Sequence, residues 1–239
     1  MTTIIAIKAN SGVEGIVLGA DRQLSYYENE RIIKKESIRK IKSGKNWITA
    51  YSGGVSNQFA IFQNYSDQKM IKEINAAVKN YLLGPGFKGP HFRAINYINT
   101  IAKRNGAELD CLHELVLAAE INNNIDLWEV DVFGNLKQPQ KTKEFEYLSA
   151  GSGSDVIEGY INELLEQGKI NQCKITLPKA IDIIKSSLNK AEQKDPNTGW
   201  SMDLAVLTKE GVDFYSDSLY EVSIKAIDNF LQTVKDKYK

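Results

Sequence analysis

The first fifty residues carry short apolar runs with the period of extended chain. Thr2 to Lys8 alternate loosely and are rich in β-branched residues, which predicts a strand. A glycine-containing turn follows at Ser11 to Gly15, and Ile16 to Asp21 reads as the hairpin partner. Arg31 to Lys42 mixes basic residues with isoleucine and is expected to be extended. Trp47 to Tyr51 forms another short strand that ends in Ser52-Gly53-Gly54. The spacing then changes. Val55 to Asn64, Met70 to Leu83 and Phe92 to Arg104 carry apolar residues three and four apart, the signature of helices, and Gly84-Pro85-Gly86 stops the second.

Strand signals return at Cys111 to Ile121, Ile125 to Phe133 and Phe145 to Ala150. Helices are expected at Asp155 to Gln167 and Pro178 to Gln193. Ser201 to Thr208 and Val212 to Tyr215 read as a hairpin, and Glu221 to Lys237 as an amphipathic helix. Blocks of strands followed by blocks of helices predict an α+β fold with segregated layers rather than strict βαβ alternation. No repeat or Pro/Gly/Ser-rich linker divides the chain, so residues 1–239 are read as one domain.

Composition narrows the function classes. The 239 residues hold 30 Lys plus Arg against 30 Asp plus Glu, and 42% are hydrophobic. Such a chain can bury a sizeable core and is not disordered in composition. The charge balance argues against nucleic acid as the main partner. It also leaves little self-repulsion between copies of the chain. The basic cluster Arg31, Lys34, Lys35, Arg39, Lys40, Lys42 and Lys45 is interleaved with Glu28, Glu30 and Glu36 and has no aromatic platform. Two cysteines, Cys111 and Cys173, and no leader pattern predict a reducing, cytoplasmic setting. No apolar run is long enough to span a bilayer. His91, His113, Cys111 and Cys173 lack the spacing of a zinc site, and neither a metal nor a cofactor is expected.

Three features carry candidate chemistry. Thr2 follows Met1, and methionine is normally removed before a small residue. A free Thr2 would hold a hydroxyl nucleophile and its own α-amine base, though many chains begin this way by chance. Asp21 ends a predicted strand, and Lys40 sits in Ile38-Arg39-Lys40-Ile41, where apolar neighbours can bury it. A buried lysine beside another ammonium has a depressed pKa and can accept a proton, with an aspartate to hold it. A solvated basic strand is the plainer reading of that segment. Ser52-Gly53-Gly54 and Gly151-Ser152-Gly153-Ser154 each join a predicted strand to a predicted helix. Such turns can present N–H groups to an oxyanion, or can simply start a helix with Ser154 or Asp155 as its N-cap. They match neither a Walker loop, which needs a lysine, nor a G-x-S-x-G elbow.

In order along the chain, these pieces resemble the proteasome β-type subunits of the N-terminal-nucleophile hydrolase superfamily. Thr2-Thr3-Ile4-Ile5-Ala6-Ile7-Lys8 is similar to the family's mature N-terminus, and Ile16 to Arg22 to the strand ending in its catalytic aspartate. Ile38-Arg39-Lys40-Ile41 resembles the catalytic-lysine segment, and Ala50 to Val55 the oxyanion turn. Ser149 to Ser154 resembles the Gly-Ser-Gly turn. Asp195-Pro196-Asn197-Thr198-Gly199 with Met202 to Leu207 is similar to the turn and strand behind the nucleophile.

The resemblance implies a four-layer αββα sandwich of two antiparallel sheets flanked by helices. It implies a threonine peptidase with Thr2 as nucleophile, Lys40 as proton acceptor, Asp21 as its partner and the Gly53 N–H as oxyanion donor. Ser152, Asp195 and Thr198 would hold the α-amine. The implied substrate is a peptide or unfolded protein, the implied assembly a homo-oligomeric ring, and an ATP-dependent unfoldase a possible partner. Thr198 stands where the family has serine, Asn57 where it often has aspartate, and Tyr51 where the primary specificity pocket has its floor. The segments 11–15 and 24–38 are longer than usual. A catalytically silent ring subunit, an amide ligase or transpeptidase, and a binding module without assembly are the alternatives.

Overall fold

Strand β1 (Thr3–Ala9) is buried along nearly its whole length, because each of its faces meets a different layer. Ile5, Ile7 and Ala9 join one core cluster, and Ile4 and Ala6 join the other. The same division runs through β2 (Gly15–Asp21), where Val17 faces one way and Ile16, Leu18 and Ala20 the other. Two-sided burial explains the near-continuous apolar runs and the loose alternation in the sequence.

A computed structural model describes residues 2–28, 31–37, 39–52, 114–121, 123–130, 136–142, 145–171, 174–199, 201–216, 232–233 and 236–237. The remaining strands are β3 (Gln23–Glu28), β4 (Arg31–Ser37), β5 (Ile41–Ser43), β6 (Trp47–Ser52), β7 (Glu114–Ile121), β8 (Asn124–Val130) and β9 (Leu136–Lys137). They continue with β10 (Gln140–Thr142), β11 (Phe145–Gly151), β12 (Met202–Thr208) and β13 (Gly211–Ser216). Two helices are described, α1 (Ser154–Glu166) and α2 (Leu177–Lys194).

The first sheet has the order β10-β11-β1-β2-β12-β13, and the second β5-β6-β7-β8-β9; all pairings are antiparallel. β3 and β4 form a separate hairpin. The sheets face each other across Ile4, Leu18, Ile48, Val116, Leu127, Leu148 and their neighbours. On the other side of the first sheet, Ile157 and Ile161 of α1 and Ile181, Ile184 and Leu188 of α2 complete the second cluster. Gly19 lets α2 lie close to the sheet, since a Cβ there would stand 2.4 Å from Cγ2 of Ile184. The outer face of the second sheet is buried too, at Trp47, Thr49, Tyr51, Leu115 and Leu117.

The α+β sandwich expected from the sequence is the fold observed. Helix, sheet and sheet are its described layers, whereas the predicted helices at 55–64, 70–83 and 92–104 lie outside the described residues. The C-terminal helix expected at 221–237 does so as well, apart from helical residues 232–233 and 236–237. The long segment after Asp21 contains a strand that periodicity did not reveal, β3. Gly153, rather than Ser154 or Asp155, occupies the N-cap of α1 and offers no side-chain cap; Asp155 lies in the first turn instead. α2 is capped by Thr176, whose side chain accepts the Lys179 N–H at 3.3 Å, followed by Pro178 in the first turn.

Candidate active site

Four strand ends of the first sheet meet at one rim: the start of β1, the end of β2, the end of β11 and the start of β12. Asp21 closes this rim. Its Oδ1 accepts the Thr3 N–H at 2.7 Å and the Lys40 ammonium at 2.9 Å. Its Oδ2 accepts the N–H of Gln23 at 2.9 Å and of Gly199 at 3.2 Å. One buried carboxylate thus fastens β1, the chain after β2, the turn before β12 and the lysine beside β5. Charge-assisted bonds of this kind are the stronger ones.

Lys40 is 1% exposed. Burial pulls its pKa below the ordinary 10.5, and the nearby carboxylates of Asp21, Asp203 and Asp195 oppose that pull. Desolvation by burial is the leading cause of the depression. The main-chain N–H of Lys40 donates to Asp203 Oδ2 at 3.3 Å.

Asp195 organises the second half of the site. Its Oδ2 accepts the hydroxyls of Ser152 at 2.7 Å and Thr198 at 2.6 Å, and its Oδ1 accepts the Asn197 N–H at 2.9 Å. Because Thr198 gives its proton to Asp195, the short contact between Thr3 Oγ1 and Thr198 Oγ1 must have Thr3 as donor. Thr3 Oγ1 also accepts the Gly153 N–H at 3.1 Å. The Thr3 hydroxyl is fully engaged in structure.

Thr2 is 3% exposed, and its carbonyl accepts the Ser152 N–H at 3.0 Å. Alternation along β1 carries Thr2 to the face of Ile4 and Ala6, toward the second sheet, whereas Thr3 faces the helix layer with Ile5 and Ile7. Gly151, with φ of +88°, makes the clamp on Thr2 possible, since a Cβ there would lie 1.7 Å from the Thr2 carbonyl oxygen.

The structure therefore brings Asp21 and Lys40 into contact, gathers Ser152, Asp195 and Thr198 around one carboxylate, and joins the two groups through Thr3 and Gly199. Gly53, the expected oxyanion donor, lies outside the described residues, as do Met1, Asn57 and the cysteine and histidine positions. Sequence reasoning passed over Thr3 as a tether. It also missed the buried ion pair of Arg22 with Asp203, Nε to Oδ1 3.7 Å. A lone carboxylate inside the apolar run Met202-Asp203-Leu204-Ala205-Val206-Leu207 was the available signal. Tyr51 is buried, and its hydroxyl donates to the Arg39 carbonyl at 3.2 Å. Burial, with the charge of Asp203, pushes its pKa up to about 12. Among the described residues no His, Cys, Asp and Glu group is arranged to hold a metal ion, and no helix is long and apolar enough to cross a membrane.

Two facing antiparallel sheets with helices on the first, and a buried Lys–Asp pair where β1 begins, define an α+β sandwich of the N-terminal-nucleophile hydrolase type. Comparison with known proteins points the same way. Over 213 residues, 88% of this chain and 92% of the relative, it is 25% identical to proteasome subunit beta 2 of Pyrobaculum islandicum. It is 23% identical over 216 residues to the proteasome subunit beta of Methanococcus maripaludis, covering 90% and 88%. Proteasome subunit beta 1 of Pyrobaculum aerophilum is 25% identical over 214 residues, covering 88% and 92%. No protein-family model matches the chain. Over about nine tenths of its length the chain is thus similar, at low identity, to proteasome β subunits.

Proposed function

We propose that the chain is a threonine-type peptidase whose nucleophile is Thr2, freed when the Met1–Thr2 bond is cut. The observation that carries this reading is the charge inventory of the rim. Asp21, Asp195 and Asp203 are buried carboxylates, whereas Arg22 and Lys40 are the buried cations among the described residues. Among the described residues three buried carboxylates thus face two cations, with Asp195 held by hydroxyl and N–H donors, so the rim favours a further positive charge. An α-amine at Thr2, beside Ser152 and one residue from Thr3, would carry that charge when protonated and act as a base when neutral.

In this mechanism Thr2 Oγ attacks the carbonyl carbon of a peptide bond while its proton passes to the neutral Lys40 amine, or through water to the α-amine. Depression of the Lys40 pKa enlarges its neutral fraction near pH 7. Asp21 fixes Nζ. The proton then goes to the leaving amine, and the acyl ester on Thr2 is hydrolysed by water to release the acid. The Gly53 N–H would stabilise the oxyanion, worth about 3 kcal/mol in comparable sites. The tethered Tyr51 ring would limit the primary pocket to small side chains.

The same reading expects a homo-oligomeric ring in the cytoplasm, acting on peptide or unfolded protein, with an ATP-dependent unfoldase as a candidate feeder. The test is hydrolysis of a fluorogenic peptide amide with a small residue before the scissile bond, using protein whose N-terminus is verified as Thr2. Turnover should be lost in Thr2→Ala and in Lys40→Ala. Equal turnover in Thr2→Ala would overturn the assignment. An inert wild-type chain that forms rings would mean a structural subunit, and a product carrying an added amine would mean a ligase.

A further inference from the structure

Asp203 lies at the second position of β12, in a strand whose seven residues are all buried, and is itself 0% exposed. A bare carboxylate there would be among the costliest residues in the fold, so its partners show what it is for. Alternation places Met202, Leu204 and Val206 toward the helices and Ala205 and Leu207 toward the second sheet, so Asp203 faces the gap between the sheets. There its Oδ2 takes the main-chain N–H of Lys40 at 3.3 Å, and its Oδ1 stands 3.7 Å from Nε of Arg22.

Arg22 is 7% exposed, and its Nε and Nη1 make no hydrogen bond among the described residues, where the charge of Asp203 compensates it. Arg22 also faces the inter-sheet side. Its main-chain N–H continues the β2–β12 ladder to the Ser201 carbonyl at 2.9 Å. Extending the β1–β2 register, Ile4 opposite Ala20, by two residues sets Arg22 opposite Thr2.

We propose that Asp203 is a positioning residue for Lys40, fixing the lysine main chain at the mouth of β5 and holding its charge state, and that Arg22 sets the strength of that hold. Among the described residues, the charged groups acting on Lys40 are Asp21 at the end of β2, Asp203 on β12, and Asp195 in the turn after α2. Arg22 pairs with Asp203, and the charge of Asp203 also reaches Tyr51. Asp21 grips Nζ, and Asp203 grips the other end of the same residue, so the lysine is held at both ends. Neutralising Asp203 removes a carboxylate that favours the ammonium. Neutralising Arg22 strips Asp203 of its counter-ion and strengthens that carboxylate's pull. The two changes must therefore move Lys40 in opposite directions, which loss of packing alone would not do.

The test is the titration of Lys40, followed in full-length protein by NMR of the lysine ε-carbon and assigned with Lys40→Met. Asp203→Asn keeps an oxygen to accept the Lys40 N–H but loses the charge, and Arg22→Gln keeps hydrogen-bonding capacity but loses the cation. The Lys40 midpoint should fall in Asp203→Asn and rise in Arg22→Gln, with Arg22→Lys returning it toward wild type. The inference rests on the peptidase reading only for its kinetic readout: the acid limb of kcat/KM should move with the midpoint, and kcat should fall by roughly tenfold or more while KM holds. An unchanged Lys40 midpoint in both variants, or movement in the same direction, overturns the proposal. Opposite midpoint shifts in a chain that hydrolyses nothing would support the role of Asp203 and refute the peptidase reading instead.

Discussion

Replacing Gly151 by alanine tests whether the Gly151-Ser152-Gly153 turn holds Thr2 in place. The new Cβ would stand 1.7 Å from the Thr2 carbonyl oxygen and 2.7 Å from the Thr2 carbonyl carbon, both backbone atoms with no rotamer to escape through. A carbon–oxygen contact normally needs about 3.3 Å, so Thr2 must retreat by about 1.6 Å. That retreat breaks the Ser152 N–H bond to Thr2, now 3.0 Å. The φ of +88° also becomes strained in any residue with a Cβ, costing about 1–2 kcal/mol. With about 1 kcal/mol for the lost hydrogen bond, Gly151→Ala should be destabilised by about 2–3 kcal/mol in chemical denaturation. Because a displacement of about 1 Å can cost about 100-fold in rate, peptide hydrolysis should drop by at least that factor. Gly159→Ala is the matched control: that glycine lies within α1 with nothing inside 4 Å of an added Cβ. It should gain about 0.5–1 kcal/mol and keep full rate. Wild-type stability and rate in Gly151→Ala would refute the clamp.

Further expectations concern the charges and the hydroxyl chain. Asp21→Asn sets an amide NH2 against two of the four donors and leaves Lys40 with a buried charge, so it should cost about 3–5 kcal/mol by urea denaturation. Because the folded-state pKa of Lys40 is lowered, the unfolded chain binds more protons between that value and 10.5, and the unfolding free energy should rise with pH across this window. Lys40→Met should flatten that slope. Tyr51 has the opposite sign: its pKa of about 12 exceeds the ordinary 10.0, so its contribution should fade from pH 10 to 12 and vanish in Tyr51→Phe. Thr198→Ser keeps the hydroxyl between Thr3 and Asp195 and should retain activity, whereas Thr198→Ala breaks the chain and should lose stability by about 1–2 kcal/mol.

Much of the scaffold was legible in the sequence because period and punctuation are local. The predicted edges of β1, β2, β6, β11, α1 and α2 fall within one or two residues of those observed. β3 was not legible, because Gln23–Glu28 lacks clean alternation and pairs only with its own hairpin partner. The strand end, the basic segment, the turns and the family resemblance together pointed to Asp21, Lys40, Ser152, Asp195 and Thr198, but not to how they join. The link is Thr3, whose hydroxyl meets a residue 195 positions away, a distance no local pattern encodes. Asp203 and Arg22 were passed over for a related reason. A charge within or beside an apolar strand gives no hint of its partner until sheet register sets Asp203 opposite Ala20, two residues from Arg22.

The central claim is that Thr2 is the nucleophile, and intact mass after incubation with an electrophile selective for N-terminal threonine tests it most directly. The account predicts loss of Met1 and one covalent adduct per chain, mapped by peptide fragmentation to Thr2 and absent from Thr2→Ala. Protein that begins at Thr2 and stays unmodified, or an adduct that persists in Thr2→Ala, would contradict it.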